Sequence, residues 1–279
     1  MISTDQPVAA ITGAGGGIGT ATALELARAG YRLALSDVDE ASLADLAAAL
    51  CVHGFEVTTR SVDVGDPEAL DAWAAAIIAD FGRVDVLINN AGVTTWGRYA
   101  EQSTRDIDWV MDINTRGVMH GCRAFLPALR RSPRGHIVNV SSMIALFAGP
   151  LQTTYTASKW AILGFSKALR LELKPEGIGV SCIVPGVTAT PFISESRTYD
   201  ADGTATMGSL MRRYGMAPER VAKRIARAIV RNHGQVHVGL DCHAVALMQR
   251  FLPGLLPWCV SRIYRRFAPS GRLNLGGPP

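Results

Sequence analysis

The 279-residue sequence predicts an α/β protein, a doubly wound parallel sheet flanked by helices, and three observations predict it. Short apolar runs of strand length alternate with segments of helical periodicity, the order that builds a parallel sheet with helices on both faces. The first run, Val8 to Thr12, opens into Gly13-Ala14-Gly15-Gly16-Gly17-Ile18-Gly19 and then a helical pattern. Strand, glycine-rich turn and helix is the setting in which backbone N–H groups approach a pyrophosphate at the positive end of a helix. Third, Tyr155 and Lys159 stand four residues apart in a helical stretch from about Thr153 to Leu173. They share one helix face, so the cation would favour the phenolate and draw the phenol toward neutrality, as general acid–base chemistry requires.

The elements follow in order. Val8 to Thr12 reads as a buried strand, and Thr20 to Ala29 as the helix after the glycines. Tyr31 to Ser36 is a second strand ending at Asp37. A carboxylate there accepts hydrogen bonds from both ribose hydroxyls and repels a 2′-phosphate. Asp39 and Glu40 add negative charge and no Arg or Lys follows, so NAD is favoured over NADP; the alternative is that Asp37 only caps the helix over 41–50. Phe55 to Val62 is the third strand, closed by Asp63-Val64, where the carboxylate either meets an adenine or caps a turn. Pro67 suits the first turn of a helix running to Asp80. Val84 to Ile88 leads into Asn89-Asn90-Ala91-Gly92, a turn able to knit neighbouring strands. Thr104 to Arg131 is a long helical pattern holding Asn114 and Gly117, both poor interior helix residues, so a local need is expected there.

His136 to Val140 is the fifth strand, with Ser141-Ser142 at its carboxyl end, where open α/β sheets place ligands. Gly179 to Val184 is the sixth and runs into Pro185-Gly186-Val187-Thr188-Ala189-Thr190. From about 191 to 217 the periodicity dissolves, which reads as a lid over a pocket. Pro218 to Val230 is a helix with a basic face, and Gln235 to Val238 is the last strand. No repeat or composition break divides the chain, so residues 1–240 form one catalytic domain and 241–279 a C-terminal amphipathic extension.

Composition narrows the function. The 48% hydrophobic content supports a core, and the net charge of +4 is mild. No basic run with interleaved aromatics occurs in the first 200 residues, which argues against nucleic acid. Five cysteines outside CxxC spacing suit reduced thiols, and six histidines form no metal-binding pattern. Asp5 and the absence of a basic segment followed by an apolar one argue against a secretory signal, giving a cytoplasmic expectation.

Together, TGxxxGxG at 12–19, NNAG at 89–92, Asn114, Ser142, YxxxK at 155–159 and PGxxxT at 185–190 resemble the classical short-chain dehydrogenase/reductases. The likeness covers residues of about 7 to 240 and implies a Rossmann-type fold. It implies Tyr155 as the acid–base, Lys159 lowering its pKa and holding the nicotinamide ribose, and Ser142 stabilising the substrate oxygen. Asn114 would bend its helix and order a water joining Lys159 to solvent. Gly13, Gly17, Ile18 and Gly19 would floor the phosphates, Asp37 the adenosine ribose, and Asp63 and Val64 the adenine. Asn90 and Gly92 would meet the cofactor, and Pro185, Val187, Thr188 and Thr190 the nicotinamide side. Trp96, Ile144, Phe147, Gln152 and Phe192 would line a mostly apolar substrate pocket. The implied enzyme interconverts a hydrophobic secondary alcohol and a ketone with NAD, as a homodimer or homotetramer paired through helices near 105–130 and 153–173. The competing reading is a non-catalytic dinucleotide-binding sensor or scaffold.

The extension carries Val245, Met248, Phe251, Leu252, Leu255 and Leu256 at mostly helical spacing, followed by Ile263, Tyr264 and Phe267. Arg250, Arg262, Arg265 and Arg266 edge them, and Pro253 and Pro257 force a bend. The favoured expectation is packing beside the lid of its own or a neighbouring subunit. Peripheral membrane contact through Trp258 and the arginines is the alternative.

Overall fold

The computed structural model describes residues 6–267. Residues 1–5, with Asp5, and 268–279 lie outside the described residues, as do the side chains of Arg266 and Phe267. The first half runs β1 (Val8–Thr12), α1 (Gly17–Arg28), β2 (Arg32–Asp37), α2 (Glu40–Val52), β3 (Val57–Ser61), α3 (Pro67–Phe81) and β4 (Val86–Asn89). Then come β5 (Thr95–Trp96), α4 (Thr104–Met111), α5 (Val118–Leu129), β6 (His136–Val140), α6 (Thr153–Leu173) and β7 (Gly179–Pro185). The chain continues through β8 (Arg197–Thr198), α7 (Ala201–Tyr214), α8 (Pro218–Arg231), β9 (Gln235–Val238), α9 (Leu240–Phe251) and α10 (Leu255–Phe267).

Seven strands form one parallel sheet in the order β3-β2-β1-β4-β6-β7-β9, a Rossmann-type arrangement. Every residue of β1, β4, β6 and β7 is buried, which explains why those strands read as continuous apolar runs rather than alternations. The period of two is expressed across the sheet instead. Val8 and Ala10 join the core under α3 and α5, whereas Ala9 and Ile11 join the core under α1, α2 and α8. Trp73 and Phe125 meet edge to face at 5.2 Å, worth about 0.5–1.5 kcal/mol beyond their area burial.

At the amino ends of the strands, Asp85 accepts from Val8 N–H, from the Ser132 hydroxyl and from both arms of the Arg83 guanidinium. These bonds hold its carboxyl below the usual range against the opposing effect of burial. The strand order reverses between β1 and β4, and the crevice at their carboxyl ends is where this fold receives ligands.

The structure corrects three expectations. The helix after the glycines begins at Gly17 rather than Thr20, which puts Gly17, Ile18 and Gly19 in its first turn. The long pattern over 104–131 is two helices joined by a π-helical stretch, Asp112–Gly117. The stretch ends at Gly117, where it passes so close to Val64 that an added Cβ would meet that residue's side chain and carbonyl at 2.9 Å. The segment of 191–217 is not irregular: it holds β8 and the fourteen-residue α7. Only Thr204 and Gly208 of α7 are fully buried, so small inward residues hide the periodicity that large apolar ones would show. Asp200 caps it by accepting from Gly203 N–H.

The extension is helical, and α9 packs on β9 and on residues 143–146, while α10 packs on α9. Cys242 and Leu256 are buried. Leu247, Phe251, Leu252, Leu255, Trp258 and Ile263 are all exposed. Among the described residues no helix is long and apolar enough to cross a membrane.

Candidate active site

A cavity of about 470 Å³ opens along the carboxyl ends of β1, β4, β6 and β7, a size suited to a small ligand or part of a cofactor. The glycine turn forms one end. Gly13 has φ +63°, which L side chains rarely adopt, and a Cβ there would meet Ala91 backbone at 2.7 Å. A Cβ on Gly19 would overlap the Gly13 carbonyl oxygen, and one on Gly17 would reach Thr190 Cγ2 at 2.7 Å. Close packing of strand, turn and helix therefore requires these glycines. The start of α1 has no side-chain cap and no carboxylate in its first turn. Its free backbone N–H groups and positive dipole end form a donor set that fits a pyrophosphate.

Asp37 lines the cavity beside that turn and accepts from Gly15 N–H at 2.8 Å. It does not cap α2. Asp39 does, accepting from Ala41 and Ser42 N–H. Asp63 also lines the cavity while its carboxylate closes a turn onto Gly65 N–H, the turn-capping reading. Asn90 donates to the carbonyls of Thr12 and Gly13, tying the β4 turn to the β1 turn.

At the other end stand Ser142, Tyr155 and Lys159. α6 carries Tyr155 and Lys159 on its buried face, and the Lys159 ammonium lies 5.6 Å from the Tyr155 ring centroid. Lys159 Nζ donates to the Val140 carbonyl at 3.1 Å, and the Ser141 hydroxyl donates to the Lys159 carbonyl. Asn114, in the π-helical stretch, accepts from Val93 N–H and donates to Val93 O and Ser158 Oγ. It thereby ties the chain after β4 to α6. A Cβ at Gly92 would lie 3.3 Å from Asn114 Oδ1 and 3.4 Å from Lys159 Nζ, so this glycine leaves a gap between the two polar groups.

The electrostatics differ from the sequence expectation. Burial pushes the Tyr155 phenol up to about 12, with a hydrogen bond from Ser142 working against it. Burial pulls Lys159 down to about 8. Desolvation is the larger effect on both groups, since burial penalises the phenolate and the ammonium alike. A phenol usable near neutrality needs further positive charge beside it.

Of the predicted residues, Gly13, Gly17, Ile18, Asp37, Asp63, Val64, Asn90, Gly92, Ser142, Tyr155, Lys159, Pro185, Thr188, Thr190 and Phe192 line the cavity. Gly19 and Asn114 support it from behind, and Val187 lies outside the lining, its N–H bonded to Asp241 and its carbonyl to Met216 N–H. Trp96, Ile144, Phe147 and Gln152 lie outside its lining. Trp96 is buried in the β5–β8 ladder, Ile144 is buried, and Gln152 donates to Thr94. The Phe147 carbonyl and the Ile144 carbonyl both face the Trp160 indole N–H.

The sequence reading missed Val93, Trp109, Ile113 and Glu195 as lining residues. The i, i+4 spacing of Trp109 and Ile113 was the available signal. The Phe192 ring lies tilted against Tyr155 with centroids 5.5 Å apart, and Met211 of α7 completes the apolar wall. The segment bearing them is fastened to α4, since Asp106 accepts from both Arg197 and Tyr199, and the Arg197 guanidinium lies 3.7 Å over the Trp109 ring.

A family model described as short chain dehydrogenase matches residues 7–201. SadH of Mycobacterium tuberculosis is 36% identical over 273 residues, covering 96% of this chain and 99% of its own. The 3-oxoacyl-[acyl-carrier-protein] reductase FabG of Thermotoga maritima is 33% identical over 218 residues, 78% of this chain and 88% of its own. Among solved structures, a short chain dehydrogenase/reductase from Burkholderia phymatum in complex with NAD superposes with a TM-score of 0.83 at 30% identity, covering 99% of this chain and all of the other.

Proposed function

The chain belongs to the short-chain dehydrogenase/reductase family and is an oxidoreductase acting on a CH–OH group; from that membership we propose that it interconverts a hydrophobic secondary alcohol and its ketone with NAD, Tyr155 serving as acid–base. The observation that carries the reading is one cavity joining a phosphate-sized donor cradle and Asp37 at one end to Ser142, Tyr155 and Lys159 at the other. A non-catalytic sensor or scaffold has no observation in its favour.

A nicotinamide cofactor held there would supply hydride exchange at its C4 position and, when oxidised, a positive charge beside the phenol. The residues do the rest. Ser142 and Tyr155 hydrogen-bond the substrate oxygen, and Tyr155 takes its proton during oxidation or returns one during reduction. Lys159 adds positive charge below the phenol and, with Asn114 across the Gly92 gap, bounds a route for a proton toward solvent. The walls formed by Val93, Trp109, Ile113, Phe192 and Met211 favour an apolar substrate.

Asp37 supports NAD over NADP, because a 2′-phosphate beside its carboxylate would be repelled. Titration of both cofactors, followed by assay of apolar secondary alcohols, tests the function. NAD should bind more tightly, and Asp37→Ala should narrow the gap by about tenfold or more, the scale of one close charge repulsion. Tighter NADP binding by the native protein would sink the cofactor assignment.

The assembly reading is a homodimer or homotetramer through α5 and α6, supported by exposed Met119, Trp160 and Leu171 on those helices. For the outer face of α9 and α10 the favoured occupant stays a neighbouring subunit or the lid, and the alternative is an anionic lipid surface. After Asp241 the sequence has Arg250, Arg262, Arg265, Arg266 and Arg272 but no Asp, Glu or Lys. Arg262 lies 5.5 Å from the Trp258 ring, a pairing suited to an interface. On the lipid alternative, Trp258→Glu should abolish co-sedimentation with phosphatidylserine vesicles while the oligomer and activity persist. Loss of the oligomer instead would assign the face to a second copy of the chain.

A further inference from the structure

Beyond the residues that line the cavity, we infer that Asp241 is a positioning residue for the nicotinamide side of the site, which makes the C-terminal extension a working part of it. The inference rests on the cofactor reading above. The loop after β7 passes the cavity with Pro185, Gly186, Thr188 and Thr190 on its wall, and Val187 at its centre is held from two directions. Its N–H donates to Asp241 Oδ2 at 2.7 Å. Its carbonyl accepts from Met216 N–H at 2.9 Å, and Ala189 N–H returns a bond to the Met216 carbonyl at 2.8 Å. One clamp comes from the end of the α7 segment and the other from the first turn of α9.

The bland alternative is an acidic residue in a first helical turn, where the dipole favours it. The geometry goes further, because the carboxylate bonds across to another element rather than to its own helix end, which has no side-chain cap. Its seat is cleared by two glycines. A Cβ on Gly186 or on Gly239 would overlap the Asp241 carboxylate. Gly239 also has φ +103°, a conformation that turns the chain from β9 back toward the loop and that other residues rarely adopt. A hydrogen bond to a charged acceptor is among the stronger single contacts. Without it, Val187 keeps the Met216 clamp alone, and the loop's only other tie to β9 is the Gly186 N–H bond to the Val238 carbonyl among the described residues.

The test compares NAD with ADP-ribose, which has the adenosine and pyrophosphate but no nicotinamide ring. In Asp241→Ala the Kd for NAD should rise by about 10- to 100-fold, with the ADP-ribose Kd unchanged. Asp241→Asn, which keeps an acceptor oxygen, should recover most of the loss. If Asp241→Ala does not fold, Asp241→Ser gives the same reading with a side chain too short to span the distance. Equal weakening of NAD and ADP-ribose, or wild-type NAD affinity, would overturn the inference. A native protein that binds neither ligand would overturn the cofactor reading beneath it.

Discussion

Tyr155→Phe is expected to lower turnover by about 10²–10⁴-fold, the usual share of a positioned acid–base group, with NAD affinity unchanged. The substitution removes one oxygen and leaves the ring that packs 5.5 Å from Phe192. Direction and pH should interact in the native enzyme. Oxidation needs the ionised phenol, so its rate should rise with pH, whereas reduction needs the protonated phenol and should fall. Burial holds this phenol up to about 12 and Lys159 down to about 8. The profile should therefore shift to lower pH once oxidised cofactor adds its charge. Stopped-flow rates in both directions from about pH 6 to about pH 11, a span that takes in the ordinary titration ranges of Lys and Tyr, provide the check. Near-native turnover in Tyr155→Phe would remove the mechanism.

Gly19→Ala should weaken cofactor binding by about 100-fold or more, corresponding to roughly 2.8 kcal/mol. Two effects compete. Alanine gains up to about 1 kcal/mol in helix propensity over glycine, but its Cβ would overlap the Gly13 carbonyl oxygen and approach Ala14 Cα at 2.8 Å. Overpacking costs about 1–3 kcal/mol even where side chains can yield, and here the obstacles are backbone. The turn must open, and its N–H groups then no longer converge on a pyrophosphate. Calorimetric titration with NAD decides the matter, and native affinity in the variant would show that this turn does not cradle the phosphates.

The sheet and the crevice were legible because parallel strands buried on both sides declare themselves as unbroken apolar runs. The glycine turn was legible because close approach leaves no alternative residue. What the sequence hid is equally physical. α7 buries Thr204 and Gly208, small residues that leave no hydrophobic stripe. Trp96 and Gln152 flank the motifs in sequence, but their backbone and side-chain bonds turn them into the β5–β8 ladder and toward Thr94. Trp109 and Ile113 line the cavity from α4 and the π-helical stretch that follows it, and a break in helical register of that kind leaves no mark in the apolar periodicity. The Tyr155 pKa could not be read from YxxxK spacing, since burial depends on the entire fold.

The all-parallel order of the sheet also governs how the molecule comes into being. Val8 finds Asp85 across 77 residues and Asn90 reaches Thr12 across 78; such distant pairings close late and slow folding. β1 leaves the ribosome first, yet its partner β4 must be made before the crevice has two walls. The wall supplied by β7 is later still. A partly synthesised chain thus lacks the complete binding site until the residues of β7 and its loop have been added. Any cofactor that recognises the finished crevice and not the unfolded chain selects completed molecules, adding about 2.7 kcal/mol of stability at 100 times its Kd. The dinucleotide pool would then set the lifetime of this protein in addition to its turnover.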